Sequence, residues 1–370
     1  MTAGLRLLAD DLTGALDAAA EMVALTGPVE AFWHDVIPPT LPANAALDSG
    51  TRETSADVAA GIVGGLAPKL SAAAIPFKKI DSLMRGSTIA EIAACFRAGG
   101  WAHAVLAPAF PHQGRVTRGG VQHARDHAGR WAPVGEDLVA RLRAAGVAAQ
   151  AGSVGAPLPA GVSVFDAETE ADLAAIVSAG RAAPGPVLWI GTGGLAQALA
   201  HRAAPLPQVQ LPGPILGLFG SDQPVTAAQL AACDGDWHRL RDGGPAEAAV
   251  VAAHLHRHGR VAVSLDLPAG LARADAARRI AAELHRLVHH LPPPGTLVAA
   301  GGETLRGLCL SLGATSLEVH GRILPGVPRS ILRGGAWDGV TVVSKSGAFG
   351  TRGLLRDILR SARTDLERIA

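Results

Sequence analysis

The sequence predicts an α/β protein of two domains whose mainly parallel sheets face a central cleft. Its 370 residues exceed one ordinary domain, and short apolar runs alternate with alanine-rich helical stretches along most of the chain. Residues 204–214 carry four prolines and interrupt this alternation. Because proline fixes φ and removes a backbone donor, this segment predicts a linker between domains at residues 1–205 and 214–370.

The first domain alternates predicted strands and helices in the manner of an open parallel sheet. The predicted strands lie at residues 5–9, 29–33, 45–47, 75–80, 104–107, 162–165 and 187–190. The predicted helices lie at 14–25, 55–66, 88–98, 138–145, 170–179 and 195–203, and residues 107–120 are predicted to form a glycine-rich loop.

The second domain repeats the pattern with fewer elements and ends in a glycine-rich β region. Its predicted strands lie at residues 215–219, 261–264, 296–300 and 340–343. Its predicted helices lie at 226–232, 275–290, 305–312 and 354–366.

Composition excludes several classes of function. The formal charge of +1 provides no global field for nucleic acid or an anionic membrane, and no apolar run approaches the roughly 20 residues of a membrane helix. The N-terminus lacks the basic and apolar regions of a signal peptide. Three widely spaced cysteines, Cys95, Cys233 and Cys309, indicate buried free thiols in a reducing compartment. We therefore expect a cytoplasmic protein without nucleic-acid or membrane partners.

Two glycine corners in the second domain predict phosphate binding. Residues 296–300 run into Gly301 and Gly302 at a helix start, and residues 340–343 run into the loop at 345–350. Backbone N–H groups at such a corner are unpaired and lie at the positive end of the helix dipole. Two corners of this kind in one domain predict a nucleotide site.

Polar loops follow the strands of the first domain, where ligands of open α/β sheets gather. Asp10 and Asp11 follow the first strand and are succeeded by Thr13, a cluster larger than helix capping alone requires. The other polar loops lie at residues 48–52, 78–87 and 107–120 and contribute Arg52, Lys79, Asp81, Ser82, Arg85 and Arg115. Arginine and lysine bind carboxylates, so these loops predict a site for a small acidic, hydroxylated molecule.

The motifs of both domains resemble those of the four-carbon acid sugar kinases. They stand in the family's order at residues 9–15, 78–86 and 108–115, then at 220–229, 301–304, 325–328 and 345–350. Two positions differ from the family's usual pattern: Gln223 replaces a serine, and Leu83-Met84 replaces threonine–leucine.

The resemblance implies an ATP- and Mg²⁺-dependent kinase that phosphorylates a terminal hydroxyl of threonate, erythronate or a 3-oxo relative. Lys79, Arg85 and Arg115, with Arg52, Thr13 and Ser82, would then bind the acid. Asp81, Asp10 or Asp11 would accept the hydroxyl proton, with Asp81 the first choice. The nucleotide side would comprise Ser221, Thr226, Gly301, Gly302, Glu303, Thr304, Gly326 and Gly347, while the metal ligands are not identified.

Two other functions compete with the kinase hypothesis. Residues 191–196 match G-x-G-x-x-A between a strand and a helix, the context of an NAD(P)-dependent oxidoreductase. However, the acidic residue that should follow about 20 residues later is missing, because that distance falls in the proline-rich segment. A non-catalytic sugar-acid binding protein is the second alternative. The sequence leaves open whether the chain forms a homodimer.

Overall fold

The protein, described here by a computed structural model, is covered at residues 4–126, 128–201, 210–220, 223–268 and 270–361. The chain divides into two compact units, Met1–Leu206 and Pro207–Ala370. Each unit is built on a mainly parallel sheet with helices, so the predicted α/β class is confirmed. The predicted linker at 204–214 lies mostly outside the described residues, and the predicted cleft stays a prediction.

Eight strands of the first unit form one parallel sheet. The strands of this unit are β1 (Leu5–Ala9), β2 (Val29–Trp33), β3 (Ala45–Asp48), β4 (Ile75–Lys79), β5 (His103–Ala107), β6 (Arg115–Arg118), β7 (Val121–Arg125), β8 (Trp131–Pro133), β9 (Ala149–Ala151), β10 (Gly161–Val164) and β11 (Val187–Gly191). The parallel sheet has the order β2-β3-β1-β4-β11-β5-β10-β9. The strands β3, β4 and β11 are buried along their whole length, which explains the apolar run that begins each of them.

The helices of the first unit form two groups. They are α1 (Leu12–Thr26), α2 (Ala56–Leu66), α3 (Thr88–Gly99), α4 (Leu138–Ala144), α5 (Glu170–Arg181) and α6 (Gly193–Ala200). Helix α6 contacts α1 and α5, whereas α3 contacts α2 and α4. Leu47, Val63, Ile92 and Leu142 belong to one apolar core that joins the second group to the sheet.

The segment predicted as a glycine-rich loop, residues 107–120, contains the strand β6, which forms a small antiparallel sheet with the unpredicted strands β7 and β8. Its strands are half exposed and lack a clean apolar alternation, so the sequence pattern concealed them. Gln122 on β7 anchors this sheet: its side chain accepts a hydrogen bond from Thr117 Oγ1 at 2.8 Å and donates to the carbonyl oxygens of Ser82 and Pro108.

The second unit contains a seven-stranded mixed sheet. Its strands are β12 (Ile215–Phe219), β13 (Trp237–Leu240), β14 (Arg260–Leu265), β15 (Thr296–Ala300), β16 (Ser316–Leu324), β17 (Val327–Arg333) and β18 (Thr341–Lys345). The order is β13-β14-β12-β15-β18-β17-β16, with the first five strands parallel and β17 antiparallel to both neighbours. The strand β13 was not predicted because its side chains are largely half exposed.

The helices of the second unit are α7 (Pro224–Ala231), α8 (Pro245–His258), α9 (Arg273–Val288), α10 (Gly302–Ser311) and α11 (Leu354–Leu359). Helix α10 begins at Gly302 and not at residue 305, so residues 302–304 form its first turn. Among the described residues, no helix is both long enough and apolar enough to span a bilayer.

Candidate active site

Three neighbouring strands bring the polar loops of the first unit together. Strand β1 lies between β3 and β4, and all three run parallel. The residues that follow their carboxyl ends therefore meet at one edge of the sheet. Backbone bonds join the first two loops, because the N–H groups of Thr51 and Arg52 both donate to the Asp10 carbonyl oxygen, at 3.1 and 3.2 Å.

Arg52 links the three predicted catalytic aspartates. Its Nε and Nη2 atoms lie 2.6 and 2.8 Å from the two carboxylate oxygens of Asp10, a bidentate pair. The same Nη2 lies 3.1 Å from Asp11 Oδ1, and Nη1 lies 3.3 Å from Asp81 Oδ2. The structure thus brings Asp10, Asp11 and Asp81 to one guanidinium group, as the sequence predicted for a shared site.

The loop after β4 folds back on its own aspartate. Asp81 Oδ1 accepts the Leu83 N–H at 2.8 Å, and Arg85 Nη2 lies 2.5 Å from Asp81 Oδ2. Met84 adopts φ +56°, which is unusual for a residue with a side chain. Gly86 has φ +77°, and an added Cβ there would lie 2.8 Å from the Arg52 carbonyl oxygen. This turn therefore holds Arg85 against Asp81 and brings Gly86 close to the Arg52 backbone.

A buried ion pair lies under these loops. Lys78 Nζ lies 2.7 Å from Glu91 Oε2, and both side chains are almost fully buried. Glu91 Oε1 accepts the Thr51 hydroxyl at 2.7 Å. The pair ties β4 and α3 to the loop that carries Arg52, which gives it a positioning role.

Two cations near this site have no carboxylate partner among the described residues. Lys79 is buried, and its Nζ donates to the Ile80 carbonyl oxygen at 2.9 Å. Arg115 donates to the carbonyl oxygens of Gln113 and Gly114, while its buried Nε has no hydrogen-bond partner there. Lys79 and Arg115 can therefore bind an added anion without breaking an existing ion pair.

Thr13 and Ser82 lie beside the acidic residues. The Thr13 hydroxyl donates to Asp11 Oδ2 at 2.8 Å, and Asp11 Oδ1 caps α1 through the Gly14 N–H at 2.7 Å. Asp11 thus serves as a helix cap in this structure, in addition to its contact with Arg52. The Ser82 carbonyl oxygen accepts from Gln122.

The electrostatics favour ionised aspartates. Burial alone would raise the pKa of Asp81, but the Arg85 hydrogen bonds and the charges of Arg52, Arg85 and Lys79 lower it well below its ordinary value. Burial likewise opposes ionisation of Asp10, and the charge and hydrogen bonds of Arg52 lower its pKa overall. Burial lowers the pKa of Arg115, and the nearby charge of Asp81 offsets this only in part.

At the Gly301 corner of the second unit, three amide N–H groups have no backbone acceptor among the described residues. Gly301 has φ +92° and caps α10 without a side-chain hydrogen bond. Its own N–H donates to the Lys345 carbonyl oxygen at 2.9 Å, and the first N–H to bond back along the helix is that of Leu305. The N–H groups of Gly302, Glu303 and Thr304 form the first helical turn, which leaves them free of helical acceptors. The sequence predicted that the N–H groups of residues 301–304 all bind phosphate. The Gly301 N–H is not available for this, because it already donates to Lys345.

The loop after β18 is held by helix α7. The Thr226 hydroxyl is buried and donates to the Gly347 carbonyl oxygen at 2.7 Å. One turn along the same helix, Gln229 Nε2 donates to the carbonyl oxygens of Phe349 and Thr351, at 3.0 and 2.9 Å. Thr226 therefore positions the predicted phosphate loop through its backbone, which differs from the direct hydroxyl contact that we expected.

Of the remaining residues predicted to bind the nucleotide, Thr304 lies at the Gly301 corner and Gly326 lies in the turn between β16 and β17. An added Cβ at Gly220 would lie 2.8 Å from Thr304 Oγ1, so the end of β12 approaches α10 closely. Ser221 lies outside the described residues. Gly326, with φ +79°, forms the turn between β16 and β17, where an added Cβ would lie 2.8 Å from the Phe349 ring.

The glycine turn at residues 191–196, the basis of the oxidoreductase alternative, is filled by protein atoms. Added Cβ atoms at Gly191 and Gly194 would lie 2.7 and 2.5 Å from the carbonyl oxygens of Ala107 and Ala109. The Thr192 hydroxyl also donates to the Ala109 carbonyl oxygen, at 2.8 Å. These glycines permit close packing of β11 and α6 against the chain after β5, which accounts for the motif without a dinucleotide.

Sequence reasoning did not assign roles to Lys78, Glu91, Gln229 or Lys345. The sequence signal that could have identified Lys78 and Lys345 is a lysine near the end of an apolar strand. Such a lysine is buried together with its strand, which is rare for a charged residue. Glu91 and Gln229 lie in helices, and nothing in their local sequence indicates which loop each one reaches.

Comparison with known proteins agrees with this arrangement. Residues 5–150 match the family model of a sugar-binding N-terminal domain, and residues 216–355 match that of a nucleotide-binding C-terminal domain. The D-threonate kinases of Cupriavidus necator and Bordetella bronchiseptica are each 32% identical to this chain. The two matches cover 94% and 98% of this chain and 95% and 97% of the relatives. A solved protein from Salmonella typhimurium LT2 shares the fold, with a TM-score of 0.75 at 21% identity over 97% of this chain and 98% of that protein.

These two matched domain models and the kinases among its relatives define the chain as a sugar-acid kinase. The chain belongs to the four-carbon acid sugar kinase family, so the resemblance seen in its motifs is confirmed.

Proposed function

We propose that the protein transfers the γ-phosphate of ATP to a terminal hydroxyl of a four-carbon sugar acid, and that D-threonate is its substrate. The observation that carries this proposal is the cluster of three aspartates and four cations at one edge of the first sheet. Such a cluster can bind a carboxylate and several hydroxyls together. The choice of D-threonate is supported by the two relatives of that name, which match nearly the whole chain.

The acid would bind through the cations that lack carboxylate partners. We assign its carboxylate to Lys79 and Arg115, because Arg52 and Arg85 are already paired with aspartates. Lysine and arginine both form charge-assisted hydrogen bonds with carboxylates. The hydroxyls would then lie among the side chains of the acidic loops, including Thr13 and Ser82.

Asp81 would accept the proton of the attacking hydroxyl. Its lowered pKa keeps it ionised at neutral pH, so it is ready to accept a hydrogen bond. Phosphoryl transfer asks little covalent chemistry of the protein, and an oriented carboxylate suffices to position the nucleophile. Asp10 and Asp11 are the alternatives, since Arg52 contacts all three carboxylates.

The nucleotide phosphates would bind the amides of Gly302, Glu303 and Thr304 together with the loop at Gly347. The N-terminus of α10 has no side-chain cap, so these donors and the helix dipole are available to an anion. The Ser221 hydroxyl is a further predicted contact. Direct transfer requires the acid and nucleotide sites to meet during turnover, which stays a prediction.

Mg²⁺ would accompany the nucleotide and would neutralise part of the negative charge of its phosphates. The described residues contain no group of three or more His, Cys, Asp or Glu side chains arranged to hold a metal ion. Mg²⁺ bound through phosphates keeps several waters and needs only one or two protein carboxylates. We therefore assign the ion to the ATP complex and not to a separate protein cage.

A coupled assay of ADP formation tests this function. Purified protein with Mg²⁺ and ATP would be offered D-threonate, L-threonate, D-erythronate and 3-oxo-tetronate, with a reaction lacking acid as the control. We expect the highest kcat/KM with D-threonate. Equal ADP formation with and without every acid would contradict the proposal, and a preference for another acid would reassign the substrate.

Four further expectations concern partners and location. We propose a cytoplasmic enzyme that acts on small molecules, has no nucleic-acid partner and is able to form a homodimer. Light scattering on the purified protein would give its oligomeric state.

A further inference from the structure

Lys345 is a buried cation without an ion pair among the described residues. It is the last residue of β18, and only 2% of it is exposed. Its Nζ donates to the carbonyl oxygens of Ser346 at 2.9 Å and Gly347 at 3.4 Å. Carbonyl oxygens satisfy hydrogen bonds but do not neutralise a charge, so the Lys345 ammonium group has no counter-ion among the described residues.

Lys78 provides an internal comparison. It is also fully buried near the end of a central parallel strand, but its Nζ lies 2.7 Å from Glu91 Oε2. Burial opposes the charge of Lys78, yet the nearby Glu91 and Asp10 carboxylates raise its pKa overall. Burial alone acts on Lys345 and lowers its pKa to about 8. One lysine is therefore paired within the fold, whereas the other is left for an outside anion.

The surroundings of Lys345 indicate which anion this is. Its carbonyl oxygen accepts the N–H of Gly301, the residue that caps α10, at 2.9 Å. The Gly347 carbonyl oxygen that its Nζ approaches also accepts the Thr226 hydroxyl. Lys345 thus joins the Gly301 corner to the loop at residues 345–350. Both corners offer neutral amides, and the chain has no G-x-x-x-x-G-K-[ST] motif to supply a phosphate-binding lysine.

We propose that Lys345 is the cation that binds the nucleotide's phosphates, an inference that rests on the proposed ATP-dependent function. In the free protein the backbone carbonyl oxygens of Ser346 and Gly347 hold Nζ in place. Bound polyphosphate supplies the missing negative charge. The gain grows with the number of phosphates, because each adds charge near a buried ammonium.

The test compares Lys345→Met with Lys78→Met in the full-length protein. Lys345→Met removes an uncompensated buried charge, so the Tm of the free protein should rise while the Kd for ATP increases about 10- to 100-fold. Lys78→Met leaves Glu91 unpaired, so its Tm should fall while its Kd for ATP stays within about twofold of wild type. A purely structural Lys345 would lower the Tm on substitution, as Lys78 does.

Calorimetric titration with ATP, ADP and AMP completes the test. The ratio of variant to wild-type Kd should decrease from ATP to AMP, and Lys345→Gln, which keeps a hydrogen-bond donor, should show the same order. If both Lys345 variants bind ATP as tightly as the wild-type protein, the proposal for Lys345 is overturned, but the proposed function is not. Absence of nucleotide binding by the wild-type protein would overturn the proposed function with it. Failure of both variants to fold would contradict the claim that the free protein does not need this charge.

Discussion

Arg52 shows how much of the candidate site depends on one side chain. It contacts Asp10, Asp11 and Asp81, and its backbone N–H also binds Asp10. The sequence indicated these residues individually, because each follows an apolar strand. It did not indicate that one guanidinium group joins them, since that follows from the adjacency of β1, β3 and β4.

The role of Asp81 as proton acceptor gives a first prediction. Asp81→Asn keeps the shape of the side chain but removes its charge, so kcat should fall about 10²- to 10⁴-fold. The Kd for ATP should stay within about twofold of wild type, because the predicted phosphate donors belong to the second unit. Steady-state kinetics with D-threonate and titration with ATP measure the two effects.

Asp11→Asn is the matched variant for this prediction. It keeps an oxygen that can accept the Gly14 N–H and removes only the charge that faces Arg52, so it should change stability by less than about 1 kcal/mol and retain most of the turnover. Full turnover by Asp81→Asn, combined with loss of turnover by Asp11→Asn, would transfer the proton-accepting role to Asp11.

The lowered pKa values of Asp10 and Asp81 predict acid sensitivity. A carboxylate whose pKa is lower in the folded than in the unfolded state stabilises the fold fully above its unfolded pKa, near 3.9. That stabilisation is lost as the pH falls from about 5 through the lower, folded pKa. The free energy of unfolding should therefore decrease below about pH 5, and urea titrations between pH 7 and 3 would measure it.

Two variants make the acid prediction specific. Asp10→Asn should unfold with a flatter pH dependence than wild type, because one of the titrating groups is gone. Glu136→Gln removes an exposed ion pair with Arg141 and should follow the wild-type profile. Identical profiles for all three proteins would show that the Asp10–Arg52 pair does not govern acid unfolding.

At the scale of elements, the parallel strands were the most predictable part of the fold. Strands such as β1, β2, β12 and β15 begin and end where the sequence predicts, because each is a short apolar run between polar loops. The sheet of β6, β7 and β8 was missed because its stability comes from Gln122 and backbone pairing, which leave no apolar period. The start of α10 was also missed, since glycine at its first position is a weak helix former.

The cap and the interior of helix α10 offer a matched pair of glycines for the next prediction. Gly301 has φ +92°, so Gly301→Ala should strain the corner by about 1–3 kcal/mol and weaken ATP binding. Gly307 lies inside the helix with open space around it, so Gly307→Ala should leave ATP binding intact and stabilise the helix by up to about 1 kcal/mol. Calorimetric titration and urea unfolding would measure both variants.

Two outcomes for the Gly301 and Gly307 variants would contradict phosphate binding at the corner. Equal ATP affinity for Gly301→Ala and wild type would mean that the corner does not bind phosphate. Equal weakening by both substitutions would mean that ATP binding responds to any change in α10 and not to the conformation of the corner.

At the scale of the whole molecule, motif order carried more information than composition. The near-zero net charge and apolar content argued against some classes of partner but did not indicate a reaction. The ordered motifs indicated the sugar-acid kinase family, which the comparisons confirm. The sequence placed Lys345 in a nucleotide-side motif but gave it no role, because its lack of a counter-ion among the described residues is a property of three-dimensional packing.

The most direct measurement of the central claim is ³¹P NMR of a reaction containing the protein, Mg²⁺, ATP and D-threonate. We predict one new phosphomonoester resonance that grows in equal amount with ADP and is absent without the acid. Formation of ADP with inorganic phosphate alone, or unchanged ATP with every four-carbon acid offered, would contradict the account.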